Sequence, residues 1–148
     1  MPASLLERTH GRYLISTDKD RLDRELIHRY LSQDAYWAKG RARATSDRAI
    51  DHSHLVIGAY DSDRGQVAFA RMVTDLATWA WLCDVFVLPD HQGTGLGSAL
   101  VGAIVEHPDV ADIKRQFLAT ADAHGLYAKF GFTPLDDPTR WMHRSPAS

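Results

Sequence analysis

The chain has 148 residues, 45% hydrophobic and 24% charged, with a formal net charge of −2 and a single cysteine, Cys83. That length supports one hydrophobic core and is short for two, so a single domain over residues 1–148 is expected. The charge argues against a general nucleic-acid or anionic-membrane binder, the lone cysteine excludes an internal disulfide and a cysteine-rich metal site, and no apolar run approaches a membrane span. Met1 to Arg12 lacks the apolar stretch of a secretory leader, so a cytoplasmic protein is expected.

Taken in order, Tyr13–Ser16 is the first strand candidate. Thr17-Asp18 then caps a helix over Lys19–Leu31, whose Leu22, Leu26, Ile27, Tyr30 and Leu31 form one apolar stripe. The stretch Ser32–Arg43 carries the adjacent aromatics Tyr36 and Trp37. Neighbours in a helix cannot both face a core, so one of the two is free to line a substrate pocket; plain packing stays open as the alternative. A short helix is expected around Arg48–Ile50. His54–Tyr60 and Gln66–Val73 form a hairpin about the turn Asp61–Gly65, and Asp75–Thr78 turns the chain into a third strand, Trp79–Val87, apolar on both faces. A helix with Leu96, Leu100, Val101, Ile104 and Val105 at helical spacing runs to His107-Pro108. Phe117–Thr120 is a buried strand and Asp122–Phe130 a helix stopped by Gly131. Arg140–Arg144 is the last strand candidate, and Ser145–Ser148 is a frayed tail. The order is β, α, three antiparallel strands, α, β, α, β, a mixed α/β arrangement.

The most informative stretch joins the third strand to the next helix: Val87-Leu88-Pro89-Asp90-His91-Gln92-Gly93-Thr94-Gly95-Leu96-Gly97-Ser98. A strand that stops at a proline and feeds a helix through alternating glycines exposes backbone N–H groups at a helix N-terminus, where a phosphate binds. A Walker loop is excluded, because no lysine lies between Lys39 and Lys114. A dinucleotide fingerprint is nearly met, with Ser98 in the place of its third glycine, but it begins too late for the strands that would complete such a site.

The pattern of Gln92, Gly95 and Gly97 resembles the Gln/Arg-x-x-Gly-x-Gly/Ala pyrophosphate loop of the GCN5-related N-acetyltransferases, the GNAT family. A second segment, Ala123-x-x-Leu126-Tyr127-x-Lys129-x-Gly131-Phe132, is similar to that family's Ala-x-x-Leu-Tyr-x-Lys-x-Gly-Phe motif. The resemblance runs from about Val67 to Phe132. It implies a central, mostly antiparallel sheet flanked by helices, whose strands before the loop and after the next helix splay apart to admit acetyl-CoA. It also implies acetyl transfer to a primary amine by direct attack in a ternary complex. By the same resemblance the cofactor contacts are Val85, Phe86, Val87, Gln92, Gly93, Thr94, Gly95, Leu96, Gly97, Ser98 and Tyr127, and Tyr127 gives the departing thiolate its proton. Thr120 stands where many members carry an asparagine that bonds the pantetheine arm, and Gly125 is an unusual residue for a helix interior.

For the base, Asp84 is a lone carboxylate in an apolar strand, and burial is expected to raise its pKa into a useful range. His91 and His124 are rivals, with His91 expected to be solvent-exposed. No metal is expected: His52 and His54 lie two apart without further ligands at a suitable spacing. The partner is a small-molecule amine, with Tyr36 and Trp37 as candidate substrate contacts; monomer and homodimer stay open. Two other readings compete, a non-catalytic acyl-CoA-binding sensor on the same fold and a dinucleotide-dependent oxidoreductase.

Overall fold

The computed structural model describes residues 2–62 and 65–146. The turn expected at 61–65 therefore lies partly outside the described residues, as do the first residue and the last two. Six strands form one sheet in sequence order: β1 (Glu7–His10), β2 (Tyr13–Ser16), β3 (Leu55–Asp61), β4 (Gly65–Thr74), β5 (Ala80–Val87) and β6 (Gln116–Phe117). All neighbours pair antiparallel except β5 and β6, which are parallel and touch only through Ala80 with Gln116 and Trp81 with Phe117. Helices cover both faces. On one side α1 (Arg24–Gln33) and α2 (Arg43–Asp51) bury Ile27, Leu31 and Ile50 against Val56, Phe69 and Phe86. On the other, α3 (Leu96–Val105) and α4 (His124–Ala128) lie over Leu55, Ile57, Met72 and Leu82. No helix among the described residues is long and apolar enough to cross a membrane.

Four expectations are corrected. β1 was not foreseen: its residues Glu-Arg-Thr-His are polar and mostly exposed, as suits an edge strand, and it pairs with β2 across a turn where Gly11 takes a φ of 57°. The first helix is split. Asp18 accepts from Asp20 N to start one 3₁₀ turn at Lys19–Arg21, and Asp23 accepts from Leu26 N to start α1, leaving Leu22 extended between them. Two competing caps in one run break it. The strand at 117–120 keeps only its start, since Leu118 to Thr120 diverge from β5. Finally, 140–144 is not a strand. A short 3₁₀ turn at Pro138–Arg140, capped by Asp137, leads into an irregular segment in which Trp141 packs edge-on against Phe117 and Met142 is almost wholly exposed.

β5 is where the sheet changes face. Before residue 84 its even positions, Ala80 and Leu82, point to the α3 side; after it, Phe86 points to the α1 side and Val85 and Val87 to α3. A bulge does this. Phe69 pairs with Phe86 and Arg71 with Cys83, so Asp84 and Val85 stand opposite Ala70 alone. One inserted residue reverses every side chain beyond it. Asp84 absorbs the kink with a φ of 56°, a conformation aspartate tolerates better than most residues do. The strand that looked apolar on both faces is thus two alternating half-strands. Phe86 secures the far half, stacked on Tyr30 with ring centroids 4.2 Å apart. Phe86→Ala is expected to cost about 3–5 kcal/mol of unfolding free energy in urea.

Candidate functional site

Beyond Trp81 no strand among the described residues lies beside the outer edge of β5, because β6 ends at Phe117. The two chains diverge and leave a cleft of about 460 Å³ between β5, residues 118–120 and α4. A second, wider opening of about 1430 Å³ lies between β6, α4 and the C-terminal segment, and the two meet at Leu118–Thr120 and Tyr127. Unpaired strand edges need partners for their N–H and C=O groups, so the gap suits an extended amide-bearing ligand laid along Val85, Phe86 and Val87. The side chain of Phe86 is buried away from the gap and its backbone faces Phe69 on β4, so Val85 and Val87 supply the edge, with the Val87 carbonyl already accepting from Gln92 Nε2.

The glycine-bearing turn follows at the end of β5. Pro89–His91 form one 3₁₀ turn, and Gly95 starts α3 with a φ of 79°; Gly93 is likewise left-handed at 77°. The N–H groups of His91 and Gln92 are used by Leu88 O and Pro89 O, and the next used is that of Ala99, by Gly95 O. Among the described residues, those of Gly93, Thr94, Gly95, Leu96, Gly97 and Ser98 have no acceptor. Six consecutive unpaired donors at the start of a ten-residue helix form a ready anion site. Leu96 anchors the turn by burying its side chain in the core. Gln92 Nε2 donates to Val87 O at 3.0 Å, Thr94 Oγ1 to His91 O at 2.8 Å, and His10 Nε2 to Thr94 O at 3.1 Å. His91, expected in solvent, is buried: its Nδ1 accepts from the Tyr13 hydroxyl at 2.8 Å. It braces the turn against β2.

Tyr127 sits on α4, buried, with its ring edge-on to Phe132. Its hydroxyl has no hydrogen-bond partner among the described residues, and the residue lines both openings. Burial, with the charges of Tyr36 and Asp122, pushes its pKa up to about 12, so it holds its proton throughout the neutral range. Thr120 Oγ1 accepts from Ala123 N at 3.1 Å and so helps to cap this turn, leaving its own O–H to donate. His124 is exposed and borders the wider opening, not the cleft. At Gly125 an added Cβ would meet nothing within 4 Å, so close packing does not explain it.

Across the cleft, Tyr36 and Trp37 both face inward, ring against ring at 5.0 Å, from the irregular link between α1 and α2. The Tyr36 hydroxyl accepts from Ala121 N at 2.8 Å, tying this link to the turn before α4. Trp37 Nε1 donates to Asp84 Oδ1 at 2.9 Å. The other oxygen, Oδ2, takes Arg41 Nη1 and Arg71 Nε, each at 2.7 Å. Here the expected pKa reverses. Burial does push the carboxyl up, but the hydrogen bond from Arg41 and the charge of Arg71 outweigh it, and the net shift is downward. With both oxygens engaged and the charge held, Asp84 is an anchor for two arginines and a tryptophan.

Arg41 and Arg71 are the site residues that sequence reading missed. A signal existed for Arg71: it is a lone cation in the apolar run Val67–Val73, one strand away from an equally lone carboxylate. Cys83 also borders the cleft; burial pushes its thiol up to about 11, so it stays uncharged. Among the described residues no three His, Cys, Asp or Glu side chains gather at metal-binding distance.

A mixed sheet opened at its one parallel pair, with an unpaired-amide turn at the end of the inner strand, is the fold of the GNAT acetyltransferases. The family model described as acetyltransferase (GNAT) domain matches residues 51–134, and the chain belongs to that family. It is 30% identical over 139 residues to a protein of Gibberella zeae that carries an acetyltransferase name, covering 82% of this chain and 78% of the other. It is similar in structure to a GNAT-family protein from Xanthomonas campestris pv. campestris, at a TM-score of 0.86 and 51% identity over 93% of this chain and 94% of that one. A protein from Clostridium acetobutylicum crystallised with acetyl-CoA shares the fold at a TM-score of 0.67 and 14% identity, over 90% of this chain and 94% of that one.

Two glycines should answer oppositely to alanine. Gly95→Ala forces a side chain into a left-handed position and is expected to lower stability by about 1–2 kcal/mol. Gly125→Ala fills open space in a helix and is expected to raise it by about 0.5–1 kcal/mol; urea unfolding reads both. Asp84 carries the pH dependence. Its carboxyl binds protons less readily folded than unfolded, so its contribution is complete above the unfolded value of about 4 and is lost as the pH falls further. Asp84→Asn is expected to be less stable at pH 7 and to lose less stability than the parent between pH 5 and 3.

Proposed function

We propose that this protein is an acetyl-CoA-dependent N-acetyltransferase that acetylates the primary amine of a small molecule inside a single domain. The observation that carries this reading is the run of six unpaired amides from Gly93 to Ser98 at the end of a strand whose outer edge is also unpaired. The first feature suits a diphosphate and the second an extended pantetheine arm. Bound acetyl-CoA would supply a thioester whose acyl group is open to attack by an amine.

The chain's own groups then do the rest. The amides of 93–98 and the α3 N-terminus hold the diphosphate. The free edge of β5 at Val85–Val87 aligns the arm, which fixes the distance to the amine, a large share of any bimolecular rate gain. The kinked backbone at Asp84 and Val85 turns amide dipoles out of the ladder, where they stabilise charge on the acyl oxygen. Tyr127 keeps its proton and lines the cleft with a hydroxyl that no other group engages, suited to donating to the departing thiolate. Its raised pKa makes it a strong holder of that proton, so it acts chiefly as a hydrogen-bond donor. Asp84 is assigned no proton-transfer step; the acceptor's proton passes to water. Solubility in the cytoplasm is part of the same proposal.

The test is acetylation of an amine panel, followed by release of the free thiol. Tyr127→Phe is expected to lower kcat by about 100-fold, the low end of general acid effects, while calorimetry shows CoA bound as before. Unchanged turnover would remove Tyr127 from the chemistry. Because Tyr127 stays protonated, kcat/KM in the parent enzyme is expected to rise as the acceptor amine loses its proton and to show no descending limb up to about pH 10. Tight CoA binding with no turnover of any amine would favour the sensor reading instead.

A further inference from the structure

The cleft beside the bulge holds two guanidinium groups against one buried carboxylate. Arg41 and Arg71 both converge on Asp84 Oδ2, and Trp37 takes Oδ1. An arginine presents five N–H donors in a rigid fork. Arg41 uses Nη1 on Asp84, while Arg71 uses Nε on Asp84 and Nη1 on Ser53 Oγ at 3.3 Å. The Arg41 Nε and Nη2 and the Arg71 Nη2 have no protein acceptor among the described residues. Both side chains are largely buried, 21% and 13% exposed, and both border the cleft. None of these three nitrogens is sealed from solvent, so each is free to meet an anionic acceptor that enters the cleft.

The remaining walls narrow the chemistry. Trp37 and Trp79 line the same cleft and keep 42% and 38% of their surface exposed, a large apolar area left uncovered by the fold. On the wall that carries Tyr127 lies Asp122, exposed, whose charge acts on the tyrosine. The cleft is therefore polarised, cationic at the bulge and anionic near the tyrosine, with flat aromatic faces along it. At about 460 Å³ it has the volume of a small-molecule site.

We propose that the acceptor is a small amine that also carries an anionic group, a carboxylate or a phosphate. The spare donors of Arg41 and Arg71 bind that anion, Trp37 and Trp79 flank the body, and the amine points toward Tyr127. This deepens the acetyl-transfer reading and rests on it for the word acceptor. Asp84 holds both forks at fixed angles, so the anion meets preset donors.

The test compares matched compounds. Phenylalanine is set against phenylalaninamide, and 2-aminoethyl phosphate against ethanolamine, as acetyl acceptors in the full chain. N-Acetylphenylalanine and its amide are compared by calorimetry with CoA present. At least one anionic member is expected to exceed its neutral partner at least 10-fold in kcat/KM, and the pair that does so tells carboxylate from phosphate. In Arg41→Gln that preference is expected to collapse through KM, and Arg41→Lys is expected to restore part of it. Equal use of the anionic and neutral members by the parent protein overturns the proposal without recourse to any variant, as does a preference that survives in Arg41→Gln. If no thiol is released with any amine, the acetyl-transfer reading fails separately. The calorimetric pair then decides the anion site alone: tighter binding of the carboxylate supports it, and equal or no binding overturns it.

Discussion

Asp84 is the residue on which the rest of the architecture turns. It takes a left-handed backbone conformation in the middle of a strand, and its carboxylate gathers Arg41, Arg71 and Trp37. The two facts support each other. A kink of this kind costs free energy, and a buried carboxylate costs more; the ion pairs offset the second and fix the first. Removing either side would leave charge in a dry place. The kink reverses the face of Phe86, which lets β5 contribute to both cores, and it leaves the strand's free edge turned toward the gap.

From that point the site is assembled by short-range consequences. β6 is parallel to β5 and pairs over two residues, so the sheet opens instead of closing. The opening is lined on one side by the bulge and on the other by residues 118–120 and Tyr127. The link between α1 and α2 roofs it, held by Tyr36 to Ala121 and by Trp37 to Asp84. These two aromatics are half-exposed because their polar atoms, not their rings, are what the fold anchors.

The turn at 93–98 is braced from the far edge of the sheet. The Tyr13 hydroxyl and the Arg12 guanidinium both meet His91 at Nδ1, and His10 holds the Thr94 carbonyl. β1 and β2 thus support the loop although they lie three and four strands from the gap. Preset donors need no reorganisation when a ligand arrives, and this bracing supplies the presetting.

The sequence by itself determined whatever is local. The loop was legible because a left-handed residue and a helix start demand glycine at particular positions, and Gly93 and Gly95 meet that demand. Tyr127 was legible through the motif around it, and the hairpin of β3 and β4 through its two apolar runs. Tertiary structure decided the rest. The pairing of β1, a polar edge strand, depends on a neighbour and not on its own pattern. So does the irregular course of residues 141–144, expected to extend as a strand but with none beside them among the described residues. The pKa of Asp84 runs against the expected direction because it follows from what surrounds the carboxylate, and its partners Arg41 and Arg71 are 43 and 13 residues away. Backbone conformation is encoded nearby in the chain, whereas electrostatic environment is encoded by contacts that only folding creates.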